Sequence, residues 1–516
     1  MHTYAAELLR LIADSGVRTL FANAGTTEIH YLAALEGEPR LRPVLCLFEG
    51  VATGAADGWA RVMRTPAATL LHLGPGLANG LANLHNARRA GTPMINIVGD
   101  HPDAHARFDT PLQSDVLALA RWTQGWTRRV GGGSSLGSDA ADAFRAAVEG
   151  QSIAALIVPA DIAWSAVRDA EGETPQIAAA SAAPAADRVH HAAGLLAAGP
   201  RTAIVVGRPA RDEAALRAAH RIHVATGAVV LVDTFPAHIV QGRGIPSFER
   251  LGYFPADSAR QLEGVDQVIL VGARIPATFF AYPGEPSLPL RLDRLHRLAG
   301  VEEDGTAALE SLAALVASEA SDEVEYVPLP EEERAALNPH NWAPVVARLL
   351  PQGAIVSDEA VTMAGAFANI APAAARHDAL GLSGLAIGQG LPVALGAALA
   401  APDRPVVALQ ADGSAMFTLT ALWTMARERV NVTIVIRDNA GYASIDRETA
   451  RIGGLQSRSR ALTEFSEPSI DFVAIATGMG VPATRADTTS DLGRQFEAAL
   501  RSPGPHLIHA KIAGPS

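Results

Sequence analysis

The sequence predicts an α/β protein built from three doubly wound parallel-sheet domains. Short runs rich in Val, Ile, Leu and Ala alternate with helical stretches along nearly the whole chain, which is typical of parallel sheets covered by helices. Apolar residues make up 48% of the 516 residues and charged residues 19%, so the chain can bury several cores. Two stretches without periodicity, 168–187 and 321–339, separate predicted domains at 1–167, 188–320 and 340–516.

The predicted elements follow the same strand–helix rhythm in each domain. In the first domain the predicted strands are Thr19–Ala22, Pro43–Phe48, Ala68–His72, Met94–Val98 and Ala154–Val158, and the predicted helices are Ala5–Ser15, Gly50–Arg61 and Gly76–Arg89. In the second domain the predicted strands are Ala203–Gly207, Ala228–Asp233 and Gln267–Gly272. In the third domain they are Ala354–Ser357, Val406–Gln410, Thr433–Arg437 and His506–Ala510, with a helix at Thr418–Arg429.

Charge and rare residue types exclude several classes of function. The net charge of −12 argues against nucleic acid or an anionic membrane as a partner. Lys511 is the only lysine, which leaves neither a P-loop lysine nor a Schiff-base lysine for pyridoxal phosphate. Cys46 is the only cysteine and is expected to be a buried strand residue. We find no secretory signal and no apolar run long enough to cross a membrane, so we expect a cytoplasmic protein.

Two motifs resemble known sites but lack their context. Residues 133–137 fit the G-x-S-x-G pattern of serine hydrolases, but no apolar strand precedes them, so we expect a surface loop. Residues 388–390 begin like a dinucleotide fingerprint, yet Val393 stands where the third glycine is required. Nucleotide binding by the central domain stays open, because Gly207 and Gly272 follow strands there without the full pattern.

Two strand ends in the third domain carry the strongest indication of chemistry. Asp412 follows one apolar strand, and Asn439 follows the next strand along the chain. A right-handed crossover between parallel strands brings both ends to the same sheet edge. Carboxylate and amide oxygens suit Mg²⁺ or Ca²⁺, and Gly413 and Ser414 open a helix whose free N–H groups favour phosphate. The pattern predicts a metal-bridged diphosphate site.

In the first domain, Glu49 follows the apolar run Leu45-Cys46-Leu47-Phe48. A carboxylate at the end of a buried strand is costly without a partner. It could simply be an acid at a helix N-terminus, but a diphosphate site in the same chain gives it a better explanation.

These residues make the chain resemble the thiamine-diphosphate enzymes of the acetolactate synthase, benzoylformate decarboxylase and pyruvate decarboxylase group. The GDG and NN motif of that family is matched by Ala411-Asp412-Gly413 and Asp438-Asn439, with Ala411 and Asp438 as departures. The resemblance covers nearly the whole chain and implies a pyrimidine-binding domain, a Rossmann-like central domain and a diphosphate-binding domain.

The resemblance also implies the roles of the cofactor-binding residues. The metal ligands would be Asp412, Asn439 and the backbone carbonyl of Gly441, with Mg²⁺ as the metal. Glu49 would activate the cofactor through its aminopyrimidine ring, and Ile387 would support the bent conformation of thiamine diphosphate. The remaining cofactor contacts that the resemblance implies are Gly413, Ser414 and Tyr442.

On the substrate side, the resemblance implies roles for Thr26, His72 and Gln113. Thr26 keeps the hydroxyl of an active-site serine, His72 matches a histidine of benzoylformate decarboxylase, and Gln113 resembles a glutamine of carboligases. Phe279 stands in the place of a second histidine, and Phe279, Phe280 and Tyr282 suggest an apolar pocket. The central domain lacks the Arg-Phe-Asp-Asp-Arg stretch of FAD-binding acetolactate synthases, so FAD is not expected.

The resemblance therefore implies a thiamine-diphosphate- and Mg²⁺-dependent decarboxylase or carboligase of small 2-oxo acids, similar to benzoylformate decarboxylase. One alternative is the catalytic large subunit of an acetolactate synthase. Another is a catalytically silent partner subunit that binds the cofactor. In this family Glu49 and the diphosphate site would come from different subunits, so a homodimer is the expected minimal unit and a homotetramer the expected assembly.

Overall fold

The computed structural model describes residues 3–131, 136–167, 182–198, 201–280 and 282–512. The chain divides into two compact units. Unit 1 comprises Met1–Ala178, Leu329–Ile370 and Leu382–Ser516, and unit 2 comprises Ala179–Pro328 and Ala371–Gly381. The three domain boundaries expected from the sequence stay a prediction. The G-x-S-x-G residues 133–135 lie outside the described residues, as does most of the first predicted linker.

Seventeen strands lie in the described part of the chain. They are β1 Thr19–Asn23, β2 Arg42–Leu45, β3 Ala67–Leu71, β4 Met94–Asp100, β5 Trp126–Arg129, β6 Ile153–Pro159, β7 Thr202–Val206, β8 Val229–Val232, β9 His238–Gln241, β10 Gln267–Val271, β11 Leu295–Ala299, β12 Ala354–Glu359, β13 His377–Gly381, β14 Val406–Ala411, β15 Val432–Asp438, β16 Ala483–Ala486 and β17 His506–Lys511.

The helices, in the same order, range from one turn to five turns. They are α1 Tyr4–Asp14, α2 Ile29–Leu35, α3 Glu49–Met63, α4 Leu73–Ala90, α5 Asp103–Ala106, α6 Val116–Trp122, α7 Leu136–Val148, α8 Ala160–Trp164, α9 Ala186–Ala197, α10 Glu213–Thr226, α11 Pro255–Gln261, α12 Gly305–Val316, α13 Trp342–Leu349, α14 Ala364–Ile370, α15 Gly390–Ala400, α16 Asp412–Ala415, α17 Ala421–Glu428, α18 Ala443–Thr449, α19 Ser457–Arg460, α20 Phe472–Gly478 and α21 Thr489–Arg501.

Unit 1 contains two parallel sheets. The first has the strand order β2-β1-β3-β4-β6-β5, and the second includes the run β16-β17-β15-β14-β12. Helices α3 and α15 link the two sheets by packing closely against each other. A Cβ atom at Gly58 of α3 would lie 2.2 Å from the backbone oxygen of Val393, and one at Gly396 of α15 would lie 1.9 Å from that of Ala55. Only glycine allows this approach of the two backbones.

Unit 2 is built around a four-stranded parallel sheet with the order β11-β10-β7-β8. Strand β9 pairs with β13 in antiparallel orientation. Buried side chains of α10 and α12, such as Leu216 and Leu309, pack against Ile204 and Ile269 of the sheet. Parallel-dominated sheets with covering helices confirm the predicted α/β class.

The sequence prediction missed five strands: β5, β9, β11, β13 and β16. The predicted strand Pro43–Phe48 is wrong at its end. Strand β2 stops at Leu45 on the sheet edge, where Leu45 and Leu47 are 38% and 45% exposed, although Cys46 is buried as expected. The predicted helix Thr418–Arg429 is shorter and begins at Ala421. Among the described residues, no helix combines the length and apolar character that a membrane crossing requires.

Candidate functional site

Asp412 and Asn439 lie at the ends of two neighbouring strands. Strands β14 and β15 pair in parallel up to Ala411 and Arg437, so the residues after them meet at one sheet edge. The Asp412 carboxylate is buried and accepts three backbone hydrogen bonds. Oδ1 accepts from the N–H of Gly413 at 2.8 Å, and Oδ2 accepts from those of Asn439 at 3.1 Å and Ala440 at 2.8 Å.

Three oxygen ligand groups face one another at this edge, and we call Asp412, Asn439 and Gly441 the oxygen trio. The side-chain oxygen of Asn439 lies 3.2 Å from the Gly441 carbonyl oxygen and 3.3 Å from both carboxylate oxygens of Asp412. An octahedral Mg²⁺ ion with ligands at about 2.1 Å places neighbouring ligand oxygens about 3 Å apart. Turning the amide would instead direct its NH₂ group at the same acceptors. The oxygen trio thus fits a small hard cation without any change of backbone.

The electrostatics around the oxygen trio depend on Asp438. Burial raises the pKa of Asp412 to about 7, and the nearby charge of Asp438 acts in the same direction. Burial also acts to raise the pKa of Asp438, but hydrogen bonds from His509 and Lys511 hold it well below its usual range. Both contacts are 2.8 Å long. The only lysine of the chain therefore compensates the charge introduced by Asp438.

The other departure, Ala411, has a simple conformational explanation. Its φ of −82° and ψ of 149° are extended, so alanine fits without strain. Next to it, the ring of Tyr442 covers Gly413, where a Cβ atom would lie 2.5 Å from the ring. Ser414 is buried in the one-turn helix α16, which is shorter than the helix expected to begin here.

Ile387 is half-buried and lies in a turn that side chains hold on both sides. Glu359, at the end of β12, accepts hydrogen bonds of 2.6 Å from the N–H groups of Gly388 and Gly390. Asn86 of α4 bonds both the N–H and the carbonyl of Ala386, at 3.1 and 2.7 Å. Full burial raises the pKa of Glu359 to about 7, against the effect of these N–H donors.

Glu49 begins helix α3 and is 5% exposed. Two asparagines donate to its carboxylate: Asn23 to Oε1 at 3.3 Å and Asn79 to Oε2 at 2.9 Å. Asn83, one turn after Asn79, donates to the carbonyls of Gly50 and Gly388, at 2.8 and 3.2 Å. Helix α4 thus connects the beginning of α3 to the turn that contains Ile387.

His72 directly precedes α4 and lies next to Glu49. A Cβ atom at Gly76 would lie 3.2 Å from both Oε1 of Glu49 and Cβ of His72, so the two side chains flank this glycine. Nδ1 of His72 is 2.7 Å from Oε2 of Glu28. We call Glu28, Glu49 and His72 the carboxylate–histidine group.

Thr26 lies near the carboxylate–histidine group, and Gln113 precedes a residue that packs against the first turn of α4. Thr26 is exposed and follows Gly25, where a Cβ atom would lie 2.2 Å from Nδ1 of His72. Gln113 is half-buried, and the side chain after it, Ser114, fills the space beside Gly74. Within the described part of the chain, the Gln113 side-chain oxygen has no hydrogen-bond partner.

Comparison with known proteins decides which family this arrangement belongs to. The model of the thiamine pyrophosphate enzyme N-terminal TPP binding domain matches residues 2–120, and that of the C-terminal TPP binding domain matches residues 363–510. Together they match more than half of the chain. The chain belongs to the thiamine pyrophosphate enzyme family. It is a thiamine-diphosphate-dependent enzyme of the decarboxylase and acetolactate synthase group.

The similarity to individual relatives extends over nearly the whole chain. The chain is 47% identical over 514 residues to the Mycobacterium tuberculosis protein named "Putative acetolactate synthase large subunit IlvX", with 98% of each chain covered. It is 27% identical to benzoylformate decarboxylase of Pseudomonas aeruginosa, again with 98% of each covered. The solved structure of the thiamine diphosphate-dependent 4-hydroxybenzoylformate decarboxylase of Rhodococcus jostii RHA1 superposes with a TM-score of 0.86 at 25% identity, covering 99% of both chains.

Sequence reasoning missed several buried charged residues of the thiamine pyrophosphate enzyme fold that lie near the predicted site residues in the chain or in space. Glu359 could have been found, because it ends a buried strand as Asp412 does. Glu28 gave no comparable indication, since it lies in a short polar turn. Arg437 was read as a strand residue, yet its guanidinium is fully buried 4.5 Å from the Trp342 ring centroid and has no hydrogen-bond partner among the described residues.

The aromatic residues expected to form a pocket lie in unit 2. Phe279 stacks on Tyr253 with ring centroids 5.5 Å apart, and Phe280 stacks on Phe254 at 5.5 Å and on Tyr282 at 5.0 Å. Phe279 remains 58% exposed. These rings form an aromatic cluster within unit 2, and its role as a substrate pocket stays a prediction.

Proposed function

We propose that this thiamine-diphosphate-dependent enzyme is a Mg²⁺-dependent decarboxylase or carboligase of small 2-oxo acids. The observation that carries the proposal is that Glu49 and His72 both lie beside Gly76, where a Cβ atom would be 3.2 Å from Oε1 of Glu49 and from Cβ of His72. A histidine, which can exchange protons, therefore lies close to the carboxylate that would activate the cofactor. An enzyme that releases an aldehyde must protonate the carbon that loses CO₂, so a proton-exchanging group suits decarboxylation.

Each part of the site would hold one part of the cofactor. The oxygen trio would bind Mg²⁺ and, through it, the diphosphate, and Tyr442 would close the site over Gly413. Ile387 would support the bent cofactor, on a turn fixed by Glu359 and Asn86. When bound, thiamine diphosphate supplies a nucleophilic carbon and an electron sink for bonds next to a carbonyl.

The chain's own side chains would manage the protons. Glu49 would hydrogen-bond the aminopyrimidine ring, and the amides of Asn23 and Asn79 keep its carboxylate oriented. His72 would give or take a proton at the ring nitrogen that does not face Glu28. Gln113 would orient a substrate or acceptor carbonyl with its amide.

We also propose a homodimer as the minimal active unit and a homotetramer as the assembly. Within the part of the chain that the structure describes, no hydrogen bond joins Glu49 or His72 to Asp412 or Asn439. A second copy of the chain would supply the missing half of each site. Dilution below the dimer dissociation constant should then abolish turnover. The cytoplasmic location stays a prediction.

The decisive experiment is a product analysis with a panel of 2-oxo acids. The purified protein with thiamine diphosphate and Mg²⁺ is given pyruvate, branched-chain, aromatic and phosphonate 2-oxo acids, and CO₂, aldehydes and hydroxyketones are quantified. Aldehyde or mixed hydroxyketone from any of them supports the proposal. No CO₂ release from the whole panel by the cofactor-loaded dimer would contradict it.

The second candidate is an acetolactate synthase large subunit, which the 47% identity to the mycobacterial protein of that name favours. Acetolactate as the main product from pyruvate, with little aldehyde, would select this candidate. A catalytically silent partner subunit is the third possibility, and any turnover by the isolated chain would exclude it.

A further inference from the structure

Glu28 is a buried carboxylate that directly contacts His72. It is 0% exposed, and its Oε2 lies 2.7 Å from Nδ1 of His72. We propose that Glu28 is a positioning residue that keeps Nδ1 of His72 protonated, so that Nε2 is the atom that exchanges protons with substrate. This inference rests on the proposed function and adds to it the residue that determines how His72 works.

The surroundings of Glu28 fix its carboxylate in place. Oε2 also accepts a hydrogen bond of 3.0 Å from the N–H of Gly25, which closes the turn that Glu28 ends. On the other side, a Cβ atom at Gly99 would lie 2.0 Å from Oε1, so the carboxylate occupies the space that this glycine leaves. The carboxylate therefore cannot turn away from the imidazole without moving β4 or the turn.

The imidazole is equally constrained. A Cβ atom at Gly25 would lie 2.2 to 2.5 Å from three atoms of the ring, so the turn packs directly against it. The side chain of His72 is 21% exposed, and that of Glu28 is 0% exposed. With Nδ1 directed at the buried carboxylate, Nε2 is the ring nitrogen left to meet a ligand.

The charges around His72 explain why a carboxylate is needed there. His72 precedes helix α4, and the positive end of a helix dipole disfavours an imidazolium ion at this position. The carboxylate of Glu28 opposes this effect by direct contact. The other titratable groups around the pair are Glu49, which flanks Gly76 opposite His72, and Tyr31, which interacts electrostatically with Glu28.

The proton balance is simple. With Glu28 ionised, its carboxylate would accept a hydrogen bond from Nδ1–H, which leaves Nε2 to carry the exchanged proton. Nε2 would take one proton from solvent, Glu28 would stabilise the imidazolium, and Nε2 would give that proton to the carbon that has lost CO₂, so that 2-oxo acid anion and proton become aldehyde and CO₂. Burial raises the pKa of Glu28, and the contact with His72 acts in the opposite direction.

The test compares Glu28→Gln with Glu28→Asp and with Glu36→Gln, an exposed glutamate eight residues away. Glu28→Gln keeps a hydrogen-bond acceptor for Nδ1–H but removes the charge that would stabilise an imidazolium ion. The pH profile of kcat/KM should therefore shift to lower pH, and kcat should fall about 10- to 100-fold. Glu28→Asp should recover part of both, and Glu36→Gln should change neither.

A second measurement does not depend on activity. In protein with ¹⁵N-labelled histidine rings, the His72 signals are identified by their loss in His72→Asn. The wild-type protein should show the tautomer with Nδ1 protonated. An unprotonated Nδ1 would overturn the inference, even if the Glu28 variants fail to fold.

The two measurements also separate this inference from the proposed function. If the panel of 2-oxo acids gives no product but Nδ1 is protonated, the proposed function fails and the positioning by Glu28 stands. If the enzyme is active and the pH profile of Glu28→Gln matches that of wild type, the inference fails and the function stands.

Discussion

The carboxylate–histidine group and the oxygen trio differ in the groups that surround their buried carboxylates. In the carboxylate–histidine group, side chains of the protein itself meet the buried carboxylates: Asn23 and Asn79 donate to Glu49, and His72 contacts Glu28. In the oxygen trio, the Asn439 side-chain oxygen faces two acceptor groups at 3.2 and 3.3 Å. In the first region, hydrogen bonds and contacts from protein side chains reach both carboxylates, although Oε1 of Glu28 has no hydrogen-bond partner among the described residues. In the second region, the proposed partner of the oxygens is Mg²⁺.

The difference indicates which region depends on a ligand. A hydrogen-bonded carboxylate is already oriented before the cofactor binds, so it contributes to catalysis without reorganisation. In the second region, Mg²⁺ would hold the three oxygen ligand groups together, with the Asn439 amide oxygen directed at the cation. We therefore expect changes in the first region to affect turnover, and changes in the second to affect cofactor binding first.

The largest effect is expected from Glu49→Ala. Loss of the carboxylate proposed to activate the cofactor should lower kcat by at least about 1000-fold, while the proposed binding of thiamine diphosphate and Mg²⁺ at the oxygen trio should persist. The measurements are product formation under saturating substrate and calorimetric titration with the cofactor. Glu36→Ala, on an exposed position of the same domain, is the matched control. Near-wild-type turnover of Glu49→Ala would contradict the expectation that changes in the carboxylate–histidine group affect turnover.

Asp412→Asn should produce the second-largest effect, and it should appear in binding. Removing the charge from the oxygen trio should weaken Mg²⁺ and diphosphate binding about 100-fold, because a single carboxylate supplies the negative charge of this donor set. In wild type, Mg²⁺ with thiamine diphosphate should raise Tm, and EDTA should reverse the shift. The variant should show neither change.

Asp403→Asn, at an exposed turn of the same unit, is the control for this prediction. An equal Tm shift in wild type and in Asp412→Asn would mean that the charge of Asp412 is not needed to bind the cation. The comparison between the two regions would then fail, because a change in the oxygen trio would not affect cofactor binding.

The sequence alone was sufficient for the parts of the site that depend on strand order. Asp412 and Asn439 follow consecutive apolar strands, and a single right-handed crossover brings such ends together. Glu49 was predicted for a partly incorrect reason, and its role stays a prediction. Its strand ends at Leu45, and the apolar residues after it belong to an exposed edge and a helix start.

Contacts between residues far apart in the chain could not be predicted. Glu28 and His72 are 44 residues apart, and Asp438 and Lys511 are 73 apart. Each of these residues alone looks like an ordinary turn or strand-end charge. Only the folded chain shows that the departure at Asp438 is matched by the one lysine, or that a glutamate in a polar turn is fully buried.

The smallest effect is expected from Glu359→Gln. This variant tests whether burial or hydrogen bonding has the larger effect on the pKa of Glu359. Burial raises the pKa of Glu359 to about 7, above its usual value near 4.5. Between these values the folded protein binds a proton that the unfolded chain has lost. This residue therefore makes the free energy of unfolding fall as pH rises.

The fall should be about 2 kcal/mol between pH 5 and 6.5, since one pH unit corresponds to about 1.4 kcal/mol for one proton. Glu359→Gln has no titrating group at this position and should not show this fall. The free energy of unfolding is measured by urea unfolding at pH 5 and at pH 6.5. The difference between wild type and variant should be about 2 kcal/mol smaller at the higher pH. Glu333→Gln, on an exposed stretch, should leave the pH dependence unchanged. Parallel curves for wild type and Glu359→Gln would mean that the N–H groups of Gly388 and Gly390 keep the carboxylate ionised despite its burial. The turn that holds Ile387 would then resemble the carboxylate–histidine group, in which groups of the protein itself orient the buried carboxylates.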